Sequence, residues 1–253
     1  MAILLTLLAF PVFSGPTEDL HGLFDEVFEW NLKEYPVLAS SLGDRRYNTE
    51  WTDSSIAAIK RRHEETAQFL KRLYAIDTTA LSGEDRLNHE LFRRQLQDDI
   101  DAHGFKGYLI PFGQRGGVQN LENTTNQLRL ATAKDYEDWL ARMGKINVVV
   151  EQTIARAERG RKEGLVSPKI LMERIPGQIE AQVVENAEDS PFYRAFEDMP
   201  ASIGTADQER LRAAAVETIE ESVLPAYRRL SGYFNDTYLE AARDSIGLSD
   251  LPN

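Results

Sequence analysis

Apolar residues recur at three- and four-residue intervals through nearly every periodic segment of this chain, and that spacing restricts it to helices packed on helices. Leu20, Leu23, Phe24, Val27 and Phe28 mark a first helix, which Pro36 closes. Ile56, Ile59, His63, Ala67, Leu70 and Tyr74 form the stripe of a second, starting near Asp53 and Ser54. Ser82, followed by Glu84 and Asp85, caps a third that runs to about His103 and Gly104. Its Leu87, Leu91, Phe92, Leu96 and Ile100 cover more than one face, which predicts burial on two sides. Helical spacing returns over Asp135 to Met143 and from Ile146 to the Gly160/Gly164 pair. Pro168 opens a further helix through Ile179, kinked at Pro176-Gly177. The last long helix starts near Ala206 and reaches Phe234, bent at Pro225. Strand-like alternation is nearly absent. The expected fold is all-α, a multi-helix array with long kinked helices. Residues 104–119 (GFKGYLIPFGQRGGVQ), rich in glycine, interrupt it as one long irregular loop.

Composition excludes several function classes. With no cysteine, disulfide scaffolds, thiolate nucleophiles and cysteine-ligated metals are ruled out. Lys and Arg number 29 against 41 Asp and Glu, a net charge of −12, which opposes nucleic acid or an anionic membrane as partner. Residues 2–10 (AILLTLLAF) form an apolar run of signal-peptide length, with small residues at Ser14 and Gly15, although no Lys or Arg precedes it. Residues 1–15 are therefore expected to direct export to the periplasm or beyond the cell, leaving 17–253 as one helical region. The run is too short to span a bilayer, and no later stretch qualifies, so no integral membrane segment is expected.

Catalytic motifs are missing. A zincin helix needs histidines at i and i+4 with a glutamate beside the first. His63-Glu64 and His89-Glu90 meet Ala67 and Arg93 at the second position. His63 and His89 read as packed core residues, His21 and His103 as helix-end residues. No phosphate loop, dinucleotide fingerprint or nucleophile elbow occurs. No catalytic or metal-binding residue, and no cofactor, is expected in this chain. The cluster Asp44-Arg45-Arg46-Tyr47 places two guanidiniums and a phenol in an interhelical turn, chemistry suited to gripping a carboxylate. Arg115, in the glycine-rich loop, and Tyr193, in the turn Ser190-Pro191-Phe192-Tyr193, join Arg45, Arg46 and Tyr47 as candidate substrate contacts. The competing reading is a turn tied to neighbouring acidic helices.

Pro36-x-x-Ala39-x-x-Leu42-Gly43-Asp44, then Arg46-Tyr47 and Asp53, begins a series of ordered short motifs. Ile76-Asp77, Leu81, Asp85-Arg86-Leu87, Gly160-x-x-x-Gly164, Pro168, Ser190 to Tyr193, Val223 to Tyr227 and Gly247-Leu248-x-x-Leu251-Pro252 follow. From about residue 18 onward the chain resembles the bacterial domain-of-unknown-function family 885. The resemblance implies a mostly helical, exported or lipid-anchored protein of a family regarded as zinc-dependent peptidases. Their zinc motif would lie in a half following Asn253. On that resemblance the chain is the N-terminal wall of a substrate cleft, with zinc and peptide substrate belonging to the full-length protein. Self-association is then expected through the face beside the missing half, near Phe234 and from Tyr238 to Leu251. The alternative is a stand-alone, non-catalytic helical module that binds an exported partner.

Overall fold

The computed structural model describes residues 15–252, so the export-signal reading rests on residues outside those described. Helix α1 (Pro16–Glu34) opens on a proline, whose fixed φ and missing N–H suit a first turn. Another proline starts α2 (Pro36–Ser41). Helices α3 (Ile56–Tyr74) and α4 (Gly83–Gly104) begin on serine caps. Ser55 Oγ accepts from the Ala58 N–H at 3.1 Å and Ser82 Oγ from the Asp85 N–H at 3.0 Å. Leu20, Leu23, Val27, Phe69, Leu73 and Leu96 of α1, α3 and α4 close the smaller of two apolar cores.

Two expectations for these helices are corrected. The buried face of α3 is Ala58, Arg62, Thr66, Phe69, Leu70 and Leu73, whereas Ala67 is exposed and Tyr74 is 57% exposed. Arg62 is drawn inward because Glu34 (3.3 Å) and the Asp53 carbonyl (2.8 Å) accept from it. Helix α4 is not covered on two sides. It meets α1 and α3, and nothing covers Leu87 (59% exposed) or Leu91 (58%).

The larger core begins inside the irregular stretch. A short turn (Gly107–Leu109), a tight return pairing Gly113 with Gly116, and a 3-10 segment (Val118–Gln127) bury Leu109, Phe112 and Val118. Around them pack α5 (Ala133–Met143) and α6 (Ile146–Lys162). The single kinked helix expected after Pro168 is instead two, α7 (Lys169–Met172) and α8 (Pro176–Glu180). Pro176 has no N–H for the preceding turn and its ring crowds that turn, so the helix breaks outright. Phe192 and Tyr193, ahead of α9 (Arg194–Glu197), are interior rather than surface-turn residues.

Helices α10 (Thr205–Thr218), α11 (Leu224–Tyr233) and α12 (Leu239–Ala241) run end to end through π turns at Ile219–Val223 and Phe234–Tyr238. The π turn ahead of Pro225 widens the ladder where the proline has no N–H to give. Phe234 and Tyr238 are fully buried, with the Phe112 ring 5.0 and 4.7 Å away, because this chain's own loop covers them. The apolar face expected there is confined to Ile246 (75% exposed) and Leu248 (80%). Beyond α12 the chain is stitched back by Arg243, whose carbonyl accepts from the Lys169 N–H at 2.7 Å. Among the described residues there is no strand longer than an isolated bridge, and no helix is long and apolar enough to cross a membrane.

Candidate functional site

Residues 40–54 form the strap between the two cores. Gly43 takes φ +86°, a left-handed conformation that glycine reaches without strain, and it turns the chain at the end of α2. Asp44 N–H then reaches back to the Ala39 carbonyl (2.9 Å), and the Asp44 carboxylate accepts from the Arg46 N–H (2.9 Å). Farther along, the Trp51 indole donates to the Arg142 carbonyl at 2.7 Å and the Ser54 N–H to Gln152 at 2.8 Å. The Arg142 guanidinium returns the grip, donating to Ser40 Oγ (2.9 Å) and the Tyr47 carbonyl (3.0 Å).

Under this strap lies a cavity of about 80 Å³, lined chiefly by Ser40, Arg45, Asn48, Arg129, Asp135 and Trp139. Asp135 belongs to the capping box of α5, accepting from the N–H and hydroxyl of Thr132 (2.9 and 2.8 Å) and the Ala131 N–H (3.1 Å). Arg45 Nη2 stands 2.9 Å from its other oxygen. Burial pushes the Asp135 carboxyl up, but Thr132, the two backbone N–H groups and Arg45 together hold it below the usual carboxylate range. Asp138, which also lines the cavity, pairs with Lys134.

Four groups here lack hydrogen-bond partners, one of them an acceptor: Asp135 Oδ1, which faces Arg45 as an ion pair but accepts no hydrogen bond. Arg129 is exposed and makes no ion pair or side-chain hydrogen bond among the described residues. The Trp139 side chain, 1% exposed, leaves its indole Nε1 unbonded. Arg142, fully buried beside the cavity, leaves Nε and Nη1 unbonded, and burial pushes its guanidinium down to about 10 against the pull of Asp138 and Glu50.

Of the residues singled out in the sequence, Arg45 lines the cavity. Arg46 turns outward to Asp44 (2.9 Å) and Glu29 (2.8 Å), with its guanidinium 5.5 Å from the Tyr47 ring. Tyr47 contributes its carbonyl, not its phenol, to Arg142. Arg115 is exposed at the tip of the Gly113–Gly116 return, and Tyr193 is 9% exposed in the larger core near Phe196. Neither lines the cavity. Arg129, Asp135 and Trp139 were not foreseen. Thr132-x-x-Asp135 had the spacing of a capping box and could have flagged Asp135; Arg129 carried no local signal.

The histidines divide. His89 is a core residue as expected, 7% exposed, with Nε2 3.0 Å from the Leu73 carbonyl. His21 meets Asp85 at 2.8 Å on the surface. His63 and His103 stack at 3.9 Å with planes 11° apart, and Tyr108 extends the stack at 5.0 Å. Parallel rings at that distance cannot both aim an in-plane lone pair at one ion, so this pair does not fit zinc as placed. Among the described residues no group of three or more His, Cys, Asp or Glu could hold a metal ion.

The family model described as "Bacterial protein of unknown function (DUF885)" matches residues 36–253. In fold, the chain is similar to a crystal structure named as the putative lipoprotein from Colwellia psychrerythraea, with a TM-score of 0.84 at 16% identity. The likeness covers 94% of this chain and 44% of that one, so the chain spans less than half the length of the protein it resembles. No curated protein matches the sequence.

Proposed function

The chain belongs to the DUF885 family, and from that premise we propose that it is the N-terminal helical region of a longer, exported zinc-dependent peptidase, lending one wall to the substrate cleft. The observation that carries this reading is the match of 94% of the chain to 44% of a longer protein. The lipoprotein name of that protein favours export. On this reading the zinc ligands lie in the part of the longer protein that this chain does not cover, and the stacked His63–His103 pair is not among them. The Arg45–Asp135 junction is the wall's contribution: a cavity with charged side chains in its lining where the strap meets the larger core, a concave setting of the kind ligands use.

The test uses the full-length gene product with its zinc content and peptide hydrolysis measured. Stoichiometric zinc and chelator-sensitive cleavage are expected, with Arg45→Gln raising KM at least fivefold at little-changed kcat and lowering Tm through the lost pair with Asp135. A zinc-free protein without hydrolytic activity would sink the reading and leave the non-catalytic binding module in its place.

A further inference from the structure

We propose that the junction cavity is a carboxylate-binding subsite, in which Arg129 and the Trp139 indole N–H hold a carboxylate carried by a peptide. The proposal rests on the peptidase reading for the identity of the ligand, but its chemistry comes from the cavity. Each lining acid has its own cation, Asp135 with Arg45 at 2.9 Å and Asp138 with Lys134, and the one acceptor left without a hydrogen bond is Asp135 Oδ1, against Trp139 Nε1 and the Arg142 Nε and Nη1 donors. Two guanidiniums have no carboxylate at hydrogen-bond distance, Arg129 at the rim and Arg142 behind the wall. Donors are in surplus as well. Asn48 uses its carbonyl oxygen on the Ser40 hydroxyl (2.7 Å), leaving its amide N–H groups without a partner among the described residues. Trp139 Nε1 is a buried donor with nothing to donate to, an arrangement that is unfavourable unless a ligand or water accepts from it.

A site with spare donors and uncompensated positive charge selects an anion and rejects a cation. It stands out in a chain whose net charge is −12 and whose surface repels anions at large. Size narrows the choice. A cavity of about 80 Å³ holds roughly five waters, enough for the four or five heavy atoms of a carboxylate and its nearest carbons. The ligand is therefore read by its terminal group, with the rest of the peptide outside. Arg129 supplies the flat two-pronged donor that a carboxylate matches, and the buried indole of Trp139, which also lines the cavity, supplies a single fixed one.

The experiment titrates this chain, without zinc, with an N-acetylated alanine tripeptide acid, the same tripeptide as its amide, and an amidated tripeptide ending in glutamate. The readouts are calorimetry and the Trp139 indole N–H resonance, assigned with Trp139→Phe. The acid should bind and shift that resonance, the plain amide should bind at least tenfold more weakly, and Arg129→Gln should weaken the acid at least tenfold at unchanged Tm. Binding of the glutamate peptide to the same extent as the acid assigns the site to acidic side chains; its failure beside a binding acid assigns it to chain termini. If neither carboxylate binds, if acid and amide bind alike, or if Arg129→Gln has no effect, the proposal is overturned. The titration needs neither metal nor turnover, so its failure leaves the peptidase reading standing, and binding by an inactive, zinc-free full-length protein would do the reverse.

Discussion

Gly160 sits where helix α6 passes under two backbone carbonyls, and replacing it with alanine is a direct test of that packing. A Cβ built at this position would lie 2.2 Å from the Leu109 carbonyl oxygen and 2.8 Å from that of Leu165. Carbon and carbonyl oxygen settle at roughly 3.3 Å, so the Leu109 carbonyl must retreat by about 1 Å. Neither obstacle is a side chain that can swing away. Leu109 is anchored at 2% exposure, and the Leu165 N–H is bonded to the Gly160 carbonyl itself at 2.8 Å. Overpacking of this kind costs up to about 3 kcal/mol, and alanine recovers about 1 kcal/mol of helix propensity over glycine. The net loss is about 2 kcal/mol, a fall in Tm of about 4–8 °C for a chain of this size. Gly22→Ala is the control. It lies on the exposed face of α1 with nothing within 4 Å of its added Cβ, so the same substitution should raise Tm by about 2–4 °C. Both variants are read by calorimetric melting at one pH. A Gly160→Ala protein as stable as the parent would refute the packing of α6 against residues 107–109.

Two further outcomes follow from titrating groups. The Asp135 carboxyl is held below the usual carboxylate range, so its stabilisation is complete above the unfolded-state value of 3.8 and fades as pH falls through the folded one. Asp135→Asn should therefore cost about 2 kcal/mol near pH 7 through the lost cap and ion pair, with the gap to the parent closing below about pH 3 in urea melts; a gap constant with pH would contradict the charge-based cap. The His103 imidazole is pushed below 6.5 by burial and by His63, so the folded state resists protonation and stability falls as pH drops through and below that value. His103→Gln should flatten Tm against pH between about 7.5 and 5, and a resonance assigned to His103 (the one lost in His103→Gln) titrating above 6.5 would exclude the effect.

Local signals were sufficient wherever one helix explains itself. Ser82 as a cap, the burial of Leu20, Leu23 and Val27, and the core position of His89 all follow from spacing and side-chain chemistry along a single element. The misread faces have tertiary causes. Burial of Arg62 depends on Glu34, 28 residues away, and exposure of Leu87 and Leu91 depends on which helices α4 fails to meet. Pro176 and Pro225 were recognised as interruptions, but only the surrounding packing decides between a break and a π turn. The glycine pair shows the intermediate case: Gly160 and Gly164 were visible as a motif, whereas their reasons, a close carbonyl at one and φ +75° at the other, belong to the folded backbone.

The candidate site was half legible for the same reason. Arg45 belonged to a recognisable turn, yet its partner Asp135 lies 90 residues on, and the two meet only because the strap crosses from one core to the other. That crossing also explains where the positive charge is kept. Arg142 bonds the strap at Ser40 and at the Tyr47 carbonyl, so it must sit inside the seam, and a guanidinium there is costly to bury without a carboxylate. The nearest acids do not remove the cost: Asp138 is taken by Lys134, and Glu50 by Lys145. Arg129 then adds a second unanswered charge at the same seam, contributed by the irregular segment ahead of α5 rather than by any helix. A structural tie alone would be met by Arg142, since Arg129 ties nothing. The pairing of a strap that needs one arginine with a cavity that holds another favours recognition of an anion over mere reinforcement of the turn.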